Sequence, residues 1–118
     1  MITLYGIPNC DTVKKARTWL QDHGLTAEFH DFKKQGVSAA MLDRWLATQD
    51  WTVLINRKGT TWRGLDDATK ASVCDAASAK ALALSTPSVV KRPVVEWDSA
   101  HGGGVTVGFD AETWTQRL

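Results

Sequence analysis

The chain has 118 residues, of which 43% are hydrophobic, and its 14 lysines and arginines nearly balance its 13 aspartates and glutamates. This length and apolar content predict one compact domain over residues 1–118 and exclude a disordered chain. The balanced charge excludes a broad basic surface for nucleic acid or an anionic membrane. We find neither a charged, apolar leader nor an apolar run long enough to span a membrane, and we expect a cytoplasmic protein.

The chain contains only two cysteines, Cys10 and Cys74. Two cysteines are too few for a disulfide scaffold, and their spacing does not match a set of metal ligands, so we expect no metal site. Val13 occupies the position where a Cys-x-x-Cys redox motif has its second thiol. A redox reaction at Cys10 therefore needs a second thiol from elsewhere, either from another molecule or from Cys74 as a resolving thiol.

The first twenty residues predict a strand, a turn and an amphipathic helix. An apolar run is followed by Gly6 and Pro8, and apolar residues then recur at three- to four-residue spacing. Cys10 lies where the helix begins, and the unpaired N–H groups and positive dipole there stabilise an anion such as a thiolate. This placement predicts a nucleophilic thiol. The alternative is a small buried hydrophobe, which free cysteines often are.

A second strand, predicted over residues 25–32, follows a helix stop at His23 and Gly24. Because a helix separates the two strands, we expect them to be parallel and joined by a right-handed crossover. Residues 33–36 are predicted to form a polar loop, and Ser38 is predicted to cap the next helix. The apolar face of that helix is predicted to consist of Met41, Leu42, Trp45 and Leu46.

The middle of the chain is predicted to be a helical insertion at about residues 38–86. Residues 56–64 are basic and rich in glycine, and their composition alone favours a solvated loop. The alanine-rich residues 66–84 predict one or two helices, with Cys74 as a packing residue inside them. The residues predicted to face the interior from the second of these helices are Ala77, Ala81 and Leu84.

The last third of the chain is predicted to form a hairpin and a helix. Residues 89–97 and 105–109 are predicted to be antiparallel strands on either side of a glycine-rich turn. Asp110 is predicted to cap a final helix that contains Trp114 and Leu118. The element order is therefore βαβ, a helical block, and ββα.

This α/β order, with a cysteine at the start of the first helix and a proline opening the third strand, is similar to the thioredoxin fold. Three motifs narrow the resemblance: YGIPNC at residues 5–10, GTTWR at residues 59–63 and KRPVV at residues 91–95. Together they resemble the arsenate reductase (ArsC)-like family, and most closely its YffB-type members. The similarity covers essentially the whole chain.

The resemblance implies roles for individual residues. Cys10 matches the family's catalytic cysteine, and Arg63 and Arg92 match two arginines that face it and hold an oxyanion or stabilise the thiolate. Guanidinium groups suit this role because they present planar pairs of donors to an oxyanion. Pro93 matches the cis-proline of thioredoxin-like folds, which implies a cis bond between Arg92 and Pro93. The residues that we expect to bind substrate are Asn9, Lys14 and Pro93.

The chain also departs from the arsenate reductases that it resembles. Their histidine four residues before the cysteine corresponds to Gly6, and their serine three residues after it corresponds to Val13. A third arginine expected near the last strand is absent around residues 107–109. An arsenate ion would lose charge-assisted hydrogen bonds worth about 1.5–3 kcal/mol each.

Three functions follow from the resemblance. The first is a glutathione-dependent thiol reductase without a bound cofactor, in which Cys10 attacks a disulfide or an oxyanion and glutathione releases the adduct. The second is an arsenate reductase coupled to glutathione and glutaredoxin. The third is a regulatory binding module similar to the Spx-type proteins, which bind RNA polymerase. We expect a monomer with glutathione, and for some reactions glutaredoxin, as its partners, and with no nucleic acid or membrane partner.

Overall fold

The computed structural model describes every residue from Met1 to Leu118 and contains four strands, eight helices and two 3₁₀ turns. The strands are β1 (Ile2–Gly6), β2 (Ala27–Asp31), β3 (Val94–Glu96) and β4 (Val105–Val107). The helices are α1 (Asp11–Asp22), α2 (Phe32–Gln35), α3 (Ala39–Leu46), α4 (Trp51–Leu54), α5 (Thr60–Arg63), α6 (Asp67–Ser72), α7 (Ala76–Ser85) and α8 (Ala111–Thr115). The chain divides into two compact units, of which the first comprises residues 1–35 and 92–118 and the second residues 36–91.

The first unit contains a four-stranded sheet in the order β2-β1-β3-β4. The pairing of β1 with β2 is parallel, whereas β3 is antiparallel to both β1 and β4. These pairings confirm the predicted βαβ unit and the antiparallel hairpin. The mixed α/β architecture is that of the thioredoxin-like fold.

The strands β3 and β4 are shorter than the sequence pattern predicts. Val89 lies in a 3₁₀ turn, and Val90 forms an isolated bridge with Ile55, so neither residue belongs to β3. The strand β4 ends before Gly108, whose φ of 84° turns the chain out of the sheet. Val89 and Val90 are thus buried without being part of a strand of the sheet, so the apolar β-branched run in the sequence is longer than β3.

The predicted loop at residues 33–36 is partly helical. The side chain of Asp31 accepts a hydrogen bond from the backbone N–H of Lys33 at 2.8 Å, and the side chain of Gln35 accepts one from the N–H of Asp31 at 3.2 Å. These bonds stabilise the single turn of α2. The helix ends before Gly36, which has a φ of 68°.

The core of the first unit lies between one face of the sheet and the helices α1 and α8. Its members are buried apolar side chains: Ile2, Leu4, Val13, Ala16, Leu20, Val95, Trp97 and Trp114. Trp114 is 1% exposed and makes edge-to-face contacts with Trp19, Trp97 and Phe109, at centroid distances of 5.4, 5.0 and 4.8 Å. These contacts fix α8 on the sheet.

The predicted start of α8 is confirmed, whereas its predicted end is wrong. Asp110 caps the helix as predicted, with its side chain accepting a hydrogen bond from Glu112 N–H at 3.1 Å. The prediction that Leu118 belongs to the helix is wrong, because α8 ends at Thr115 and Leu118 is 59% exposed. The side chain of Arg117 donates instead to the carbonyls of His101 and Gly103, at 3.0 and 2.7 Å.

The second unit consists of α3 to α7. Ser38 caps α3 as predicted, since its hydroxyl accepts a hydrogen bond from Met41 N–H at 3.2 Å. Met41, Leu42 and Trp45 are buried in the unit, as predicted, and Leu46 is half-buried. The predicted loop at residues 56–64 includes one helical turn, α5. The helix α3 packs against α4 and α7.

The interior face predicted for α7 is wrong. Ala77 and Ala81 are exposed and Leu84 is 42% exposed. The residues that α7 buries are Ala79, Leu82 and Ala83. Alanine occurs on every side of this helix, so its sequence does not distinguish one apolar face, and packing within the unit selects the buried one.

The prediction that Cys74 packs inside a helix is wrong. This residue is exposed and lies between α6 and α7. Asp75 and Ser78 form a capping box that starts a new helix directly after Cys74. The capping residues therefore place Cys74 in a connection on the surface.

None of the helices combines the length and the apolar character needed to cross a lipid bilayer.

Candidate active site

Cys10 is the N-cap residue of α1, as the sequence predicts. Its backbone is extended, with φ −93° and ψ 124°, and its carbonyl accepts a hydrogen bond from Lys14 N–H at 2.9 Å. Its own N–H donates to the carbonyl of Ile7 at 3.4 Å, which closes the turn between β1 and α1. The strand, the turn and the helix together hold the cysteine backbone in one position.

The thiol of Cys10 is available for chemistry. Its side chain makes no capping hydrogen bond, forms no disulfide and is half-buried. The helix that follows has twelve residues, and its positive dipole end and first N–H groups lie at this position. Cys10 also packs against the core of the first unit, so its role as a nucleophile stays a prediction.

The positions that differ from the arsenate reductases present no polar side chain around Cys10. Gly6 and Val13 are both buried, and Val13 is 0% exposed. Gly6 and Val13 thus form an apolar wall. Neither residue provides a hydroxyl or imidazole to bind an oxyanion.

Arg92 and Pro93 lie at the same end of the sheet as the Cys10 turn. In the antiparallel register, Val94 pairs with Tyr5, so the start of β3 is adjacent to the end of β1. The bond between Arg92 and Pro93 is cis, as the resemblance implied, and Pro93 is buried. Arg92 is half-buried, with its Nε atom buried, so its guanidinium lies partly inside the protein.

Gly108 supports this end of the sheet and was not among the predicted site residues. Its N–H donates to the carbonyl of Pro93 at 2.8 Å, and its φ is 84°. A side chain at this φ would be strained, so glycine suits the position. The signal in the sequence was a glycine inside the predicted strand at residues 105–109.

The proposed substrate-binding residues next to Cys10 are exposed. Asn9 lies in the turn, and Lys14 lies in the second turn of α1. Their side chains are open to a ligand from solvent. Their binding role stays a prediction.

Arg63 belongs to the second unit. It is the last residue of α5, and its side chain is exposed. Its carbonyl accepts a hydrogen bond from Nζ of Lys70 at 3.3 Å, which ties α5 to α6. The role of its guanidinium toward Cys10 stays a prediction.

Comparison with known proteins places this site in a family. The ArsC family model matches residues 5–117. A solved structure named YFFB protein is 46% identical, with a TM-score of 0.91, and the match covers 100% of this chain and 99% of that one. The solution structure of an arsenate reductase (ArsC) related protein from Brucella melitensis is 52% identical, with a TM-score of 0.74, over 96% of this chain and 90% of that one.

Two curated proteins are also similar in sequence. An uncharacterized protein of Haemophilus influenzae is 39% identical over 97% of this chain and 96% of its own length. The global transcriptional regulator Spx of Streptococcus mutans is 29% identical over 80% of this chain and 69% of its own length. With the family model spanning nearly all residues and the cysteine, cis-proline and sheet arranged as described, the chain belongs to the ArsC family.

Proposed function

We propose that this protein is a thiol-dependent oxidoreductase in which Cys10 is the nucleophile and glutathione is the thiol co-substrate. The observation that carries the proposal is the half-buried, unbonded thiol of Cys10 at the N-terminus of α1. Val13 stands where a second thiol of a dithiol motif would lie, which favours a mechanism with one protein cysteine.

The reaction has two exchange steps. The Cys10 thiolate attacks the glutathione sulfur of a mixed disulfide, forms a Cys10–glutathione disulfide and releases the substrate thiolate, which takes a proton from water. The thiolate of a second glutathione then attacks the glutathione sulfur of that adduct, which yields glutathione disulfide and restores the Cys10 thiolate. Overall, the disulfide between substrate and glutathione is exchanged for glutathione disulfide: the substrate sulfur becomes a thiol, and the sulfur of the second glutathione is oxidised in its place.

Positively charged residues give the site a preference for a ligand with carboxylates. In this proposal Arg92 and Lys14, from the unit that contains Cys10, bind the carboxylates of glutathione. Guanidinium groups bind carboxylates through paired hydrogen bonds. Asn9 and Pro93 contact the peptide part of the same ligand.

Arsenate reduction is a less favoured alternative for the same cysteine. The similarity to an arsenate reductase related protein supports it. The apolar wall of Gly6 and Val13 opposes it, since an arsenate dianion needs several donors in place of water. We expect no arsenite formation at saturating arsenate with glutathione and glutaredoxin present.

A regulatory binding module is the alternative function that involves no catalysis, and the similarity to Spx supports it. Spx-type proteins have a redox pair whose second cysteine lies three residues after the first, and this chain has Val13 at that position. A purified chain that binds RNA polymerase, and whose Cys10→Ser variant binds equally well, would favour this alternative over the enzyme.

The first test is formation of the Cys10–glutathione disulfide. The Cys74→Ala protein is mixed with glutathione disulfide, and the adduct is followed by intact mass. We expect one adduct per chain, its removal by added glutathione, and no adduct on the Cys10→Ser, Cys74→Ala double variant. Absence of an adduct on Cys10 would overturn the proposal.

The role of Arg92 is tested by the rate of the same reaction. Losing a charge-assisted hydrogen bond worth about 1.5–3 kcal/mol predicts an adduct rate reduced roughly tenfold or more in Arg92→Gln. Arg17→Gln is the matched control, because Arg17 is exposed and stacks on Phe29, with 4.3 Å between its Cζ atom and the ring centroid. Equal rates for the two variants would remove Arg92 from the mechanism.

A further inference from the structure

A second positively charged region lies entirely within the second unit. Arg57, Lys58 and Lys91 line a cavity of about 310 Å³, together with Ile55 and Val53 and polar groups of Thr52 and Asn56. Cavities of this size are at the lower end of the range for small-molecule sites. None of the lining residues takes part in the proposed thiol chemistry.

The backbone brings these residues together from distant parts of the sequence. Ile55 forms an isolated antiparallel bridge with Val90. Beside it, Asn56 N–H donates to Val89 and Lys91 N–H donates to Leu54, both at 2.8 Å. Lys91 is therefore held opposite the segment that contains Arg57 and Lys58.

The short loop after Ile55 is also fixed by hydrogen bonds. The side-chain oxygen of Asn56 accepts a bond from Lys58 N–H at 3.3 Å, and its carbonyl accepts one from Gly59 N–H at 3.1 Å. A β-carbon on Gly59 would lie 2.8 Å from Nδ2 of Asn56, so the loop is closely folded on itself. The cavity wall is thus defined by backbone structure and not only by long side chains.

The positive charge in the cavity is not neutralised by its lining, which contains no carboxylate. No ion pair involves Arg57, Lys58 or Lys91. Asp50 attracts Arg57 from outside the lining, but its Oδ1 already accepts bonds from the N–H and hydroxyl of Thr52, at 2.8 and 2.6 Å. The guanidinium carbon of Arg57 lies 5.5 Å from the centre of the Trp51 ring.

We infer that this cavity binds a small organic phosphate. The guanidinium of Arg57 matches the oxygens of a phosphate group, and Lys58 and Lys91 add positive charge to the same lining. Val53 is 44% exposed and Ile55 forms a buried apolar base, which gives an apolar surface for the rest of the ligand. A phosphate ester with an aromatic or aliphatic group fits both halves of the cavity.

The test uses phenyl phosphate and inorganic phosphate as probes. Each is titrated into the ¹⁵N-labelled chain at low salt, and amide shifts are followed by NMR. We expect shifts confined to residues 52–58 and 89–91, and tighter binding of phenyl phosphate than of inorganic phosphate. Equal affinities would overturn the organic part of the inference, and shifts elsewhere would overturn the site.

Charge variants with matched controls test the assignment to these side chains. The double variant Lys58→Gln, Lys91→Gln is expected to bind phenyl phosphate about twofold to fivefold more weakly for each lysine lost, the range for exposed ion pairs. Lys33→Gln, Lys34→Gln removes the same charge from exposed positions of α2 and is expected to retain the affinity. Equal weakening in both would mean a general charge effect and would overturn the inference.

Asp50→Asn tests whether the negative charge beside Arg57 weakens the binding of an anion. Asparagine caps a helix as well as aspartate does, so α4 is retained while the negative charge beside Arg57 is removed. The variant is expected to bind phenyl phosphate more tightly than the unmodified chain. Weaker or unchanged binding would contradict a site in which Arg57 contacts the anion.

Discussion

A β-carbon on Gly6 would lie 2.7 Å from Cγ2 of Val13. Such a contact is shorter than real β-carbon contacts, so a side chain at residue 6 requires Val13 or the helix to move. Gly6 ends β1 and Val13 lies in the first turn of α1, on either side of the turn that contains Cys10. Two of the positions at which the sequence departs from the arsenate reductases that it resembles are therefore coupled by packing.

We expect Gly6→Ala to lower the free energy of unfolding by about 1–3 kcal/mol, the usual cost of overpacking a core. The φ of Gly6 is not positive, so the cost comes from the contact and not from the backbone. Adding Val13→Ala should recover part of the loss, with a coupling of about 0.5 kcal/mol or more in a double-mutant cycle. Urea denaturation of the four proteins measures both quantities.

Gly64→Ala is the matched control for this prediction. Gly64 has a φ of −80°, and its nearest neighbour to an added β-carbon is 3.4 Å away. Its substitution should change stability by less than about 0.5 kcal/mol. A Gly6→Ala protein as stable as Gly64→Ala would contradict the packing contact.

Cys10 should be more reactive than Cys74, although its side chain is less exposed. Cys74 is exposed, whereas Cys10 is half-buried at the N-terminus of α1. Because the helix terminus stabilises the thiolate, we expect Cys10 to react faster than Cys74 with iodoacetamide near neutral pH. Single-cysteine variants, Cys74→Ala and Cys10→Ala, allow each rate to be measured by mass spectrometry. Faster alkylation of Cys74 would mean that exposure decides the order and that Cys10 is not activated.

The cap of α7 should make stability depend on pH in acid. Hydrogen bonds from the side chain and backbone of Ser78 lower the pKa of Asp75 from its ordinary value of 3.8. Because the folded pKa lies below the unfolded one, the carboxylate stabilises the fold above about pH 4, and this contribution is lost as pH falls through the folded pKa. Asp75→Asn retains a capping oxygen without a titrating group, so its stability should fall less on acidification.

Urea denaturation near neutral pH and near pH 3 measures this difference. Asp22→Asn is the control, since the side chain of Asp22 is exposed and accepts no hydrogen bond. The control should lose as much stability in acid as the unmodified chain. An Asp75→Asn protein with the same acid sensitivity as that control would show that the cap does not contribute.

Two leucines of α7 test which face of this helix is buried. Leu82 is 8% exposed and Leu84 is 42% exposed. Leu82→Ala should lower the free energy of unfolding by about 2–5 kcal/mol, because it leaves a cavity. Leu84→Ala should change it by about 0.5 kcal/mol or less. The reverse order, which the sequence pattern predicts, would mean that α7 is rotated relative to this structure.

Local chemistry made several parts of the fold predictable from the sequence. The caps Ser38 and Asp110 and the start of α1 at Cys10 are correct, because a cap depends on groups within three or four residues of each other. The parallel and antiparallel pairings follow from the order of strands and helices. The motifs around Cys10 and Pro93 were sufficient to indicate the family.

Tertiary contacts decided the features that the sequence predicted wrongly or left open. Alanine on all sides of α7 gave no apolar period, so packing chose Leu82 over Leu84. Val90 is buried through a bridge to Ile55 and not through β3. The closeness of Gly6 and Val13, and the β1–β3 register that brings Arg92 to the Cys10 end of the sheet, depend on distances across the chain. Local patterns determine which elements form, whereas which side chains meet depends on how those elements pack.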